Sequence, residues 1–94
     1  MITTRFRGLH VHLLGIGGAG VSALVPLLQR VGAVVSGCDL HDAAMIGRLR
    51  GRGVACSIGH DPAHLAGVDL VVHSAAVPSD HPELTEARRL GLPC

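Results

Sequence analysis

The segment that most constrains the fold runs from the apolar residues Val11 to Ile16 through a glycine-rich turn at 15–20 into a second apolar segment. A short apolar run that ends in glycines predicts a buried strand, and apolar residues at helical spacing after Ala19 predict a helix. Pro26 lies inside that helical pattern. Since proline has no amide hydrogen and its ring crowds the carbonyl four positions earlier, we expect this helix to bend or to begin late.

Strands and helices alternate along the rest of the chain. The pattern predicts further strands at 34–37 (ending at Cys38 and Asp39), 54–58 and 70–73, and the start of a fifth strand at 92–94. It predicts helices at 43–50, after Pro62 and at 82–90, with Asp42 and Asp61 as N-caps of the first two. Such alternation produces right-handed crossovers between parallel strands. The predicted fold class is α/β, a Rossmann-like doubly wound parallel sheet of four strands plus the start of a fifth, in one small domain over residues 1–94. Because the chain stops inside a predicted strand, we expect it to be a piece of a longer protein.

Composition limits the partners that we expect for this chain. Phe6 is the only aromatic residue and the formal net charge is +1, which argues against a nucleic-acid partner. The apolar run at 9–16 is too short to cross a bilayer and no cleavage pattern follows it, so we expect no membrane segment and no signal peptide. Three widely spaced cysteines fit neither a disulfide framework nor a zinc site, and a reducing cytoplasm is the expected setting.

The glycine turn has the spacing of a phosphate-binding motif. Gly15, Gly17 and Gly20 match G-x-G-x-x-G, and Gly18 adds a fourth glycine. In this motif the first glycine permits the tight turn, the second lets the backbone approach phosphates, and the third lets helix and strand pack closely. The amides and dipole at the start of the following helix attract an anion such as a diphosphate. Asp39 ends the second predicted strand, which favours a nucleotide site over a purely structural turn.

Other polar residues carry weaker indications. His60 and His64 have i, i+4 spacing, but Pro62 places His60 before the helix begins, so we expect the pair not to share a face and predict no metal site. Ser22 either binds a phosphate or bonds to the helix backbone. The others are interpreted as surface or packing groups, namely His10, His12, His64 and His73, with Arg48, Arg50 and Arg52 on a solvated face.

Five short motifs in order give the chain a resemblance to a known family. They are HLLGIGGAGVSAL, VSGCD, SIGHD, DLVVHSAAVPSDHPEL and ARRLGLP. Together they resemble the N-terminal domain of the Mur ligases nearly end to end, most closely the members that join L-alanine to UDP-N-acetylmuramate. The members that recycle muramoyl tripeptides have a cysteine and a threonine in the glycine turn, and this chain has neither there.

The resemblance implies a domain that holds the UDP part of a UDP-muramic acid substrate and no dinucleotide. Carried over position by position, it implies that the diphosphate is bound by Gly15, Gly17, Gly18, Ala19, Gly20, Val21 and Ser22. It places Asp39 beside the nucleoside and His60 near the uracil and ribose. The sugar-phosphate side is then lined by Ser74, Ala75, Ala76 and Val77. Three positions depart from the family pattern. Cys38 and Ala75 stand where serines are usual, and His81 replaces an asparagine and is expected to be a poorer helix cap.

The resemblance also implies the activity of a whole enzyme of peptidoglycan synthesis. In such an enzyme ATP phosphorylates the muramoyl carboxylate and the amine of L-alanine attacks the acyl phosphate, with magnesium stabilising the charge. ATP and magnesium are expected in the central ATPase and C-terminal domains of the same chain, because residues 1–94 contain no G-x-x-x-x-G-K-S/T loop. We therefore expect these residues to bind substrate, to hold no cofactor or metal, and to supply no catalytic residue.

Two alternatives stay open on the sequence alone. The glycine motif with Asp39 also fits an NAD-binding Rossmann domain of an oxidoreductase or a regulatory nucleotide sensor. The second alternative is an α/β module that binds no ligand and packs against a partner.

Overall fold

The chain folds around one parallel sheet, seen here in a computed structural model that describes residues 6–41 and 44–94. The strands are β1 (His10–Leu14), β2 (Val34–Asp39), β3 (Ala55–Ile58) and β4 (Leu70–Val72). The helices are α1 (Ala19–Ser22), α2 (Leu24–Arg30), α3 (Ala44–Gly51) and α4 (Pro82–Leu90), with a 3-10 helix at Pro62–Leu65. All paired strands are parallel, which confirms the predicted α/β class.

The strand order is β3-β2-β1-β4. The chain therefore moves outward from β1 through β2 to β3 and then returns to the other side of β1. In doubly wound sheets a crevice forms at the carboxyl ends of the strands where the direction of winding reverses. Here that position lies between β1 and β4.

Apolar residues cover both faces of the sheet, because successive strand side chains point to opposite sides. On one face, Val11 and Leu13 of β1 belong to a buried cluster with Val25 of α2 and Ile46 of α3. On the other face a second cluster contains Leu14, Cys38, Leu65, Val71, Leu84 and Ala87. Helices on both faces make the sheet doubly wound, as predicted.

Most predicted elements are present, with different ends. β1 ends at Leu14, two residues before the predicted end at Ile16. The expected defect near Pro26 is confirmed, since the helical segment is interrupted at Ala23 between α1 and α2. Asp61 caps the 3-10 helix as predicted, accepting a hydrogen bond from the Ala63 amide at 2.9 Å.

The remaining predictions concern the cap at Asp42, the fifth strand and membrane-spanning helices. Asp42 lies outside the described residues, so its predicted capping role stays a prediction. Residues 92–94 are not assigned as a strand, although the Val71 amide of β4 donates to the Pro93 carbonyl at 3.0 Å. No helix in the described ranges 6–41 and 44–94 is long and apolar enough to span a bilayer.

Candidate functional site

A crevice opens at the carboxyl ends of β1 and β4, where the winding of the sheet reverses. It has a volume of about 390 Å³. Its lining residues are Gly15, Gly18, Gly20, Val21, Leu24, Val72, His73 and Ser74. Five of these eight were predicted from the sequence, and the structure brings the glycine turn and Ser74 together. Leu24, Val72 and His73 were missed, because only the strand order reveals that β4 ends beside the turn.

The glycine turn is tight, and Gly15 makes it possible. Gly15 has φ +70°, a left-handed conformation that favours glycine. The amides of Gly15 and Ile16 both donate to the Cys38 carbonyl, at 2.9 and 3.1 Å, and the Gly18 amide donates to the Gly15 carbonyl at 2.9 Å. The predicted role of Gly15 is confirmed.

Residues at the start of α1 line the crevice. The Gly18 carbonyl accepts a hydrogen bond from the Ser22 amide at 2.8 Å, so Gly18 is the last residue before the helix. The amides of Ala19 to Val21 then have no carbonyl partner within the helix. The sequence predicted that these amides and the helix dipole together attract an anion. Helix α1 is only four residues long, so its dipole is small, and the attraction of an anion stays a prediction.

One glycine role predicted from the motif was wrong, and another stays a prediction. A Cβ added at Gly17 would lie 2.9 Å from Asp39 Oδ2, so the missing side chain makes room for Asp39, and the approach of a phosphate to the Gly17 backbone stays a prediction. A Cβ added at Gly20 would meet nothing within 4 Å, so Gly20 is not needed for close packing. The close approach occurs instead at Gly37 of β2, where a Cβ would lie 2.5 Å from Ile16 Cδ1.

Asp39 is held against the glycine turn. Its Oδ2 accepts from the Gly17 amide at 2.9 Å and its Oδ1 from the His41 amide at 3.2 Å. Ser22 is buried and borders a different depression, of about 460 Å³, between α2 and α3. The other predicted positions do not line the crevice: Ala75 and Ala76 are exposed, Val77 packs on the second apolar cluster, and the side chain of Ala19 lies outside the described part of the chain.

A second polar site was missed by sequence reasoning. Glu83 at the start of α4 is fully buried and gathers four side chains, and we call this group the Glu83 cluster: His12, Cys38, His60, His64 and Glu83. His12 Nε2 lies 2.8 Å from Glu83 Oε1, and the Cys38 thiol donates to Glu83 Oε2 at 3.0 Å. The only local indication was the family-like HPE sequence, because the partners of Glu83 lie far away along the chain.

His60 and His64 converge on the same oxygen, so the prediction that they would not share a face was wrong. Their Nδ1 atoms lie 3.0 and 3.5 Å from Glu83 Oε2. His60 does precede the 3-10 helix, as Pro62 suggested. The ring of His60 also meets the ring of His81 edge to face at 4.4 Å.

Burial and hydrogen bonding set the protonation of the Glu83 cluster. Burial would raise the pKa of Glu83, but hydrogen bonds from His12 and Cys38 outweigh it and lower that pKa to about 2. Burial, then the hydrogen bond to Glu83 and its negative charge, raise the pKa of the Cys38 thiol well above its usual value. The pair is therefore a thiol that donates to a carboxylate.

His81 caps α4, although it was expected to be a poorer cap than asparagine. Its Nδ1 accepts a hydrogen bond from the Glu83 amide at 3.1 Å. Burial, followed by the nearby His60 ring, lowers the pKa of His81 and so favours the neutral ring that can accept this bond.

The fold and the crevice define a doubly wound α/β domain with a phosphate-binding type of turn at the point where the winding reverses. Comparison with known protein families identifies one family within this class. The model of the Mur ligase family, catalytic domain, matches residues 10–94. The chain belongs to the Mur ligase family.

Individual relatives agree with this assignment. The chain is 48% identical over 84 residues to UDP-N-acetylmuramate–L-alanine ligase of Delftia acidovorans, covering 89% of this chain and 18% of the relative. The crystal structure of the UDP-N-acetylmuramate-alanine ligase MurC from Thermotoga maritima has a TM-score of 0.84 and 30% identity, over 90% of this chain and 20% of that one. A murein peptide ligase from Psychrobacter arcticus has a TM-score of 0.83 and 32% identity, over 92% and 18% of the two chains. The chain thus spans about a fifth of the length of these relatives.

Proposed function

We propose that the crevice between β1 and β4 binds the diphosphate of UDP-N-acetylmuramate. On this proposal, residues 1–94 are the UDP-binding domain of a longer, ATP-dependent ligase that joins L-alanine to that substrate in peptidoglycan synthesis. The observation that carries the proposal is the place of the α1 amides, at the mouth of a crevice where the winding of the sheet reverses. The names of the relatives support the choice of ligand over NAD.

The lining of the crevice suits an anion. None of its described lining residues is acidic, and the nearby carboxylate of Asp39 is occupied by the Gly17 and His41 amides. The amides of Ala19 to Val21 donate to diphosphate oxygens on one side. Ser74, on the opposite side, has a hydroxyl that donates to the sugar-phosphate part of the substrate.

His73 contributes an acceptor to the same side of the crevice. Its Nδ1 lies 2.9 Å from the Ser74 carbonyl, so this nitrogen carries the proton and donates to that carbonyl. In the neutral ring, Nε2 is then an acceptor. We assign it to a hydroxyl group of the substrate, since a phosphate oxygen offers no hydrogen.

The remaining assignments made from the resemblance belong to the same proposal. Asp39 is assigned to the nucleoside and His60 to the uracil and ribose. Ser22 is assigned to the diphosphate, and Ala75 to Val77 to the sugar-phosphate side. ATP and magnesium act in the central ATPase and C-terminal domains of the longer chain. The protein is assigned to the cytoplasm, a reducing compartment that fits the free thiols of Cys38, Cys56 and Cys94. The role of residues 1–94 is then to hold the substrate and not to catalyse.

A charge reversal at one open position tests the proposal. Gly20→Asp places a carboxylate in the crevice where a Cβ meets nothing within 4 Å. An acidic residue in the first turn of a helix favours folding but repels a diphosphate. We expect the affinity for UDP-N-acetylmuramate, measured by calorimetry, to fall at least about tenfold.

The matched control is Gly47→Asp, which adds the same charge at an exposed position of α3 with equally open surroundings. We expect this variant to bind like the unmodified protein, and circular dichroism to show that both variants are folded. Equal affinities of the two variants would place the diphosphate elsewhere. Saturable binding of NAD with no response to UDP-N-acetylmuramate would favour the oxidoreductase alternative.

A further inference from the structure

We propose that the Glu83 cluster binds one Zn²⁺ ion, with His12 Nε2, Cys38 Sγ, His64 Nδ1 and a Glu83 carboxylate oxygen as its four ligands. Ligand atoms of these four residues all lie within 4.8 Å of one another. Thiolate sulfur, imidazole nitrogen and carboxylate oxygen are the donors that zinc takes in proteins. None of these four residues lines the crevice, so the proposal does not depend on which ligand binds there.

Two of the separations between ligand atoms are those of a tetrahedral zinc site. Ligands at about 2.0–2.3 Å from the ion lie about 3.3–3.8 Å from one another. Cys38 Sγ is 3.6 Å from His12 Nε2, and His64 Nδ1 is 3.5 Å from Glu83 Oε2. The two shorter separations involve different oxygens of Glu83, 2.8 Å from Oε1 to His12 Nε2 and 3.0 Å from Oε2 to Cys38 Sγ. Both are hydrogen bonds that lengthen when the ion replaces their protons.

An unsatisfied nitrogen points to the ligand. His64 Nδ1 is buried and has no hydrogen-bond partner. A buried polar atom without a partner is costly and is rarely kept without a reason. His60 Nδ1, in contrast, is already bonded to Glu83 Oε2 at 3.0 Å, so we assign His60 to the support of the carboxylate and His64 to the ion.

Ser36 fixes the ring of His12 in a suitable orientation. Its Oγ lies 2.9 Å from His12 Nδ1 and 2.7 Å from His10 Nε2. Histidines that bind metals usually donate the hydrogen of their other ring nitrogen to an oxygen, which holds the correct tautomer. In the metal-free protein the ring proton of His12 is on Nε2 and is donated to Glu83. When the ion binds, this proton moves to Nδ1, which then donates to Ser36 Oγ, and Nε2 presents its lone pair to the ion.

The site has a path to solvent. A small cavity of about 170 Å³ is lined by His12, Ser36 and His64 together with His10, Gly37, Ala55 and Ser57. Two of the proposed ligands thus border an opening through which an ion enters. On binding, the Cys38 thiol loses its proton to solvent, as coordinating thiols do.

Four protein ligands leave no open position for a substrate, which is typical of structural zinc sites. The ligands come from β1, β2, the 3-10 helix and α4, four elements that are distant in sequence. An ion there ties α4 to the sheet. Binding to the folded state alone raises the melting temperature with increasing metal concentration.

The test uses purified protein stripped of metal with a chelator and then titrated with Zn²⁺ against a competing indicator. We expect one ion per chain. His64→Gln is expected to weaken binding at least about tenfold and Ser36→Ala about 10- to 100-fold, whereas the matched control His73→Gln leaves the affinity unchanged. Absence of binding to the unmodified protein, or equal affinities of His64→Gln and His73→Gln, would overturn the proposal.

Absorption spectroscopy with Co²⁺ distinguishes loss of a metal ligand from loss of folding. Co²⁺ bound to a thiolate gives a sulfur-to-metal charge-transfer absorption. We expect this absorption in the unmodified protein and in Cys56→Ser, and its loss in Cys38→Ser, with circular dichroism confirming that all three are folded. Loss of the band in Cys56→Ser with retention in Cys38→Ser would place the metal at the wrong cysteine and refute the site.

Discussion

Glycine serves different physical purposes at neighbouring positions of this chain. Gly15 allows a left-handed backbone conformation, Gly17 leaves space for Asp39, and Gly20 leaves an open position on the crevice. The motif spacing identifies the turn correctly, but it assigns the close-packing role to Gly20 incorrectly, because that role depends on which side chain faces the glycine. The glycine that makes the close contact is Gly37 in β2, about twenty residues away along the chain.

Gly37 is the glycine that the packing of the sheet requires most. A Cβ there would lie 2.5 Å from Ile16 Cδ1 and 2.8 Å from the Leu13 carbonyl oxygen. We predict that Gly37→Ala lowers the free energy of unfolding by about 1–3 kcal/mol, the usual effect of overpacking a core. Urea denaturation measures this change.

Gly47→Ala is the control for that prediction. A Cβ at Gly47 meets nothing within 4 Å, and alanine is a better helix former than glycine, so this variant is expected to gain up to about 1 kcal/mol. The two substitutions should shift the urea midpoint in opposite directions. A Gly37→Ala protein as stable as the unmodified one would show that the sheet relaxes around the added methyl group.

At the scale of elements, the helix after the glycine turn is divided into α1 and α2. The interruption at Ala23 lies three residues before Pro26, beside the carbonyl of Ser22 that a regular helix would bond to residue 26. Pro82, by comparison, occupies the first position of α4, where the missing amide hydrogen has no partner in any case. The effect of a proline thus depends on its position within the helix.

We predict that Pro26→Ala joins α1 and α2 into one helix. The free energy of unfolding should change by no more than about 1 kcal/mol, because Pro26 lies in the first turn of α2, where its missing amide hydrogen costs little, and alanine returns unfolded-state entropy. Far-ultraviolet circular dichroism should show more helix. Pro82→Ala is the control and is expected to show no increase in the helix signal. An unchanged helix signal in Pro26→Ala would show that the glycine turn, and not Pro26, causes the interruption.

Elements with local signals at both ends are the ones that the sequence predicts best. Helix α4 begins at Pro82 and ends before Gly91, which has φ 73°, and the predicted and observed bounds agree. The 3-10 helix was likewise predicted from Asp61 and Pro62. The Glu83 cluster was not predicted, because His12 and Glu83 are 71 residues apart and meet only through the packing of α4 on the sheet.

At the scale of the whole molecule, the order β3-β2-β1-β4 determines where a ligand can bind. Parallel strands and crossovers follow from the alternation of elements, but the sequence does not state on which side of β1 the fourth strand lies. Placing β4 beside β1 brings Ser74 and His73 opposite the glycine turn and completes the crevice. We therefore propose that this crevice holds the diphosphate of a UDP-sugar.

Amide chemical shifts of the labelled protein during titration with UDP-N-acetylmuramate show where the ligand binds. The predicted result is that the amides of Gly18, Gly20, Val21 and Ser74 shift together and saturate at one ligand per chain, while those of Ala55 on β3 and Arg88 on α4 stay in place. Shifts that saturate at another surface, with the amides of the glycine turn unchanged, would show that the diphosphate binds outside the crevice.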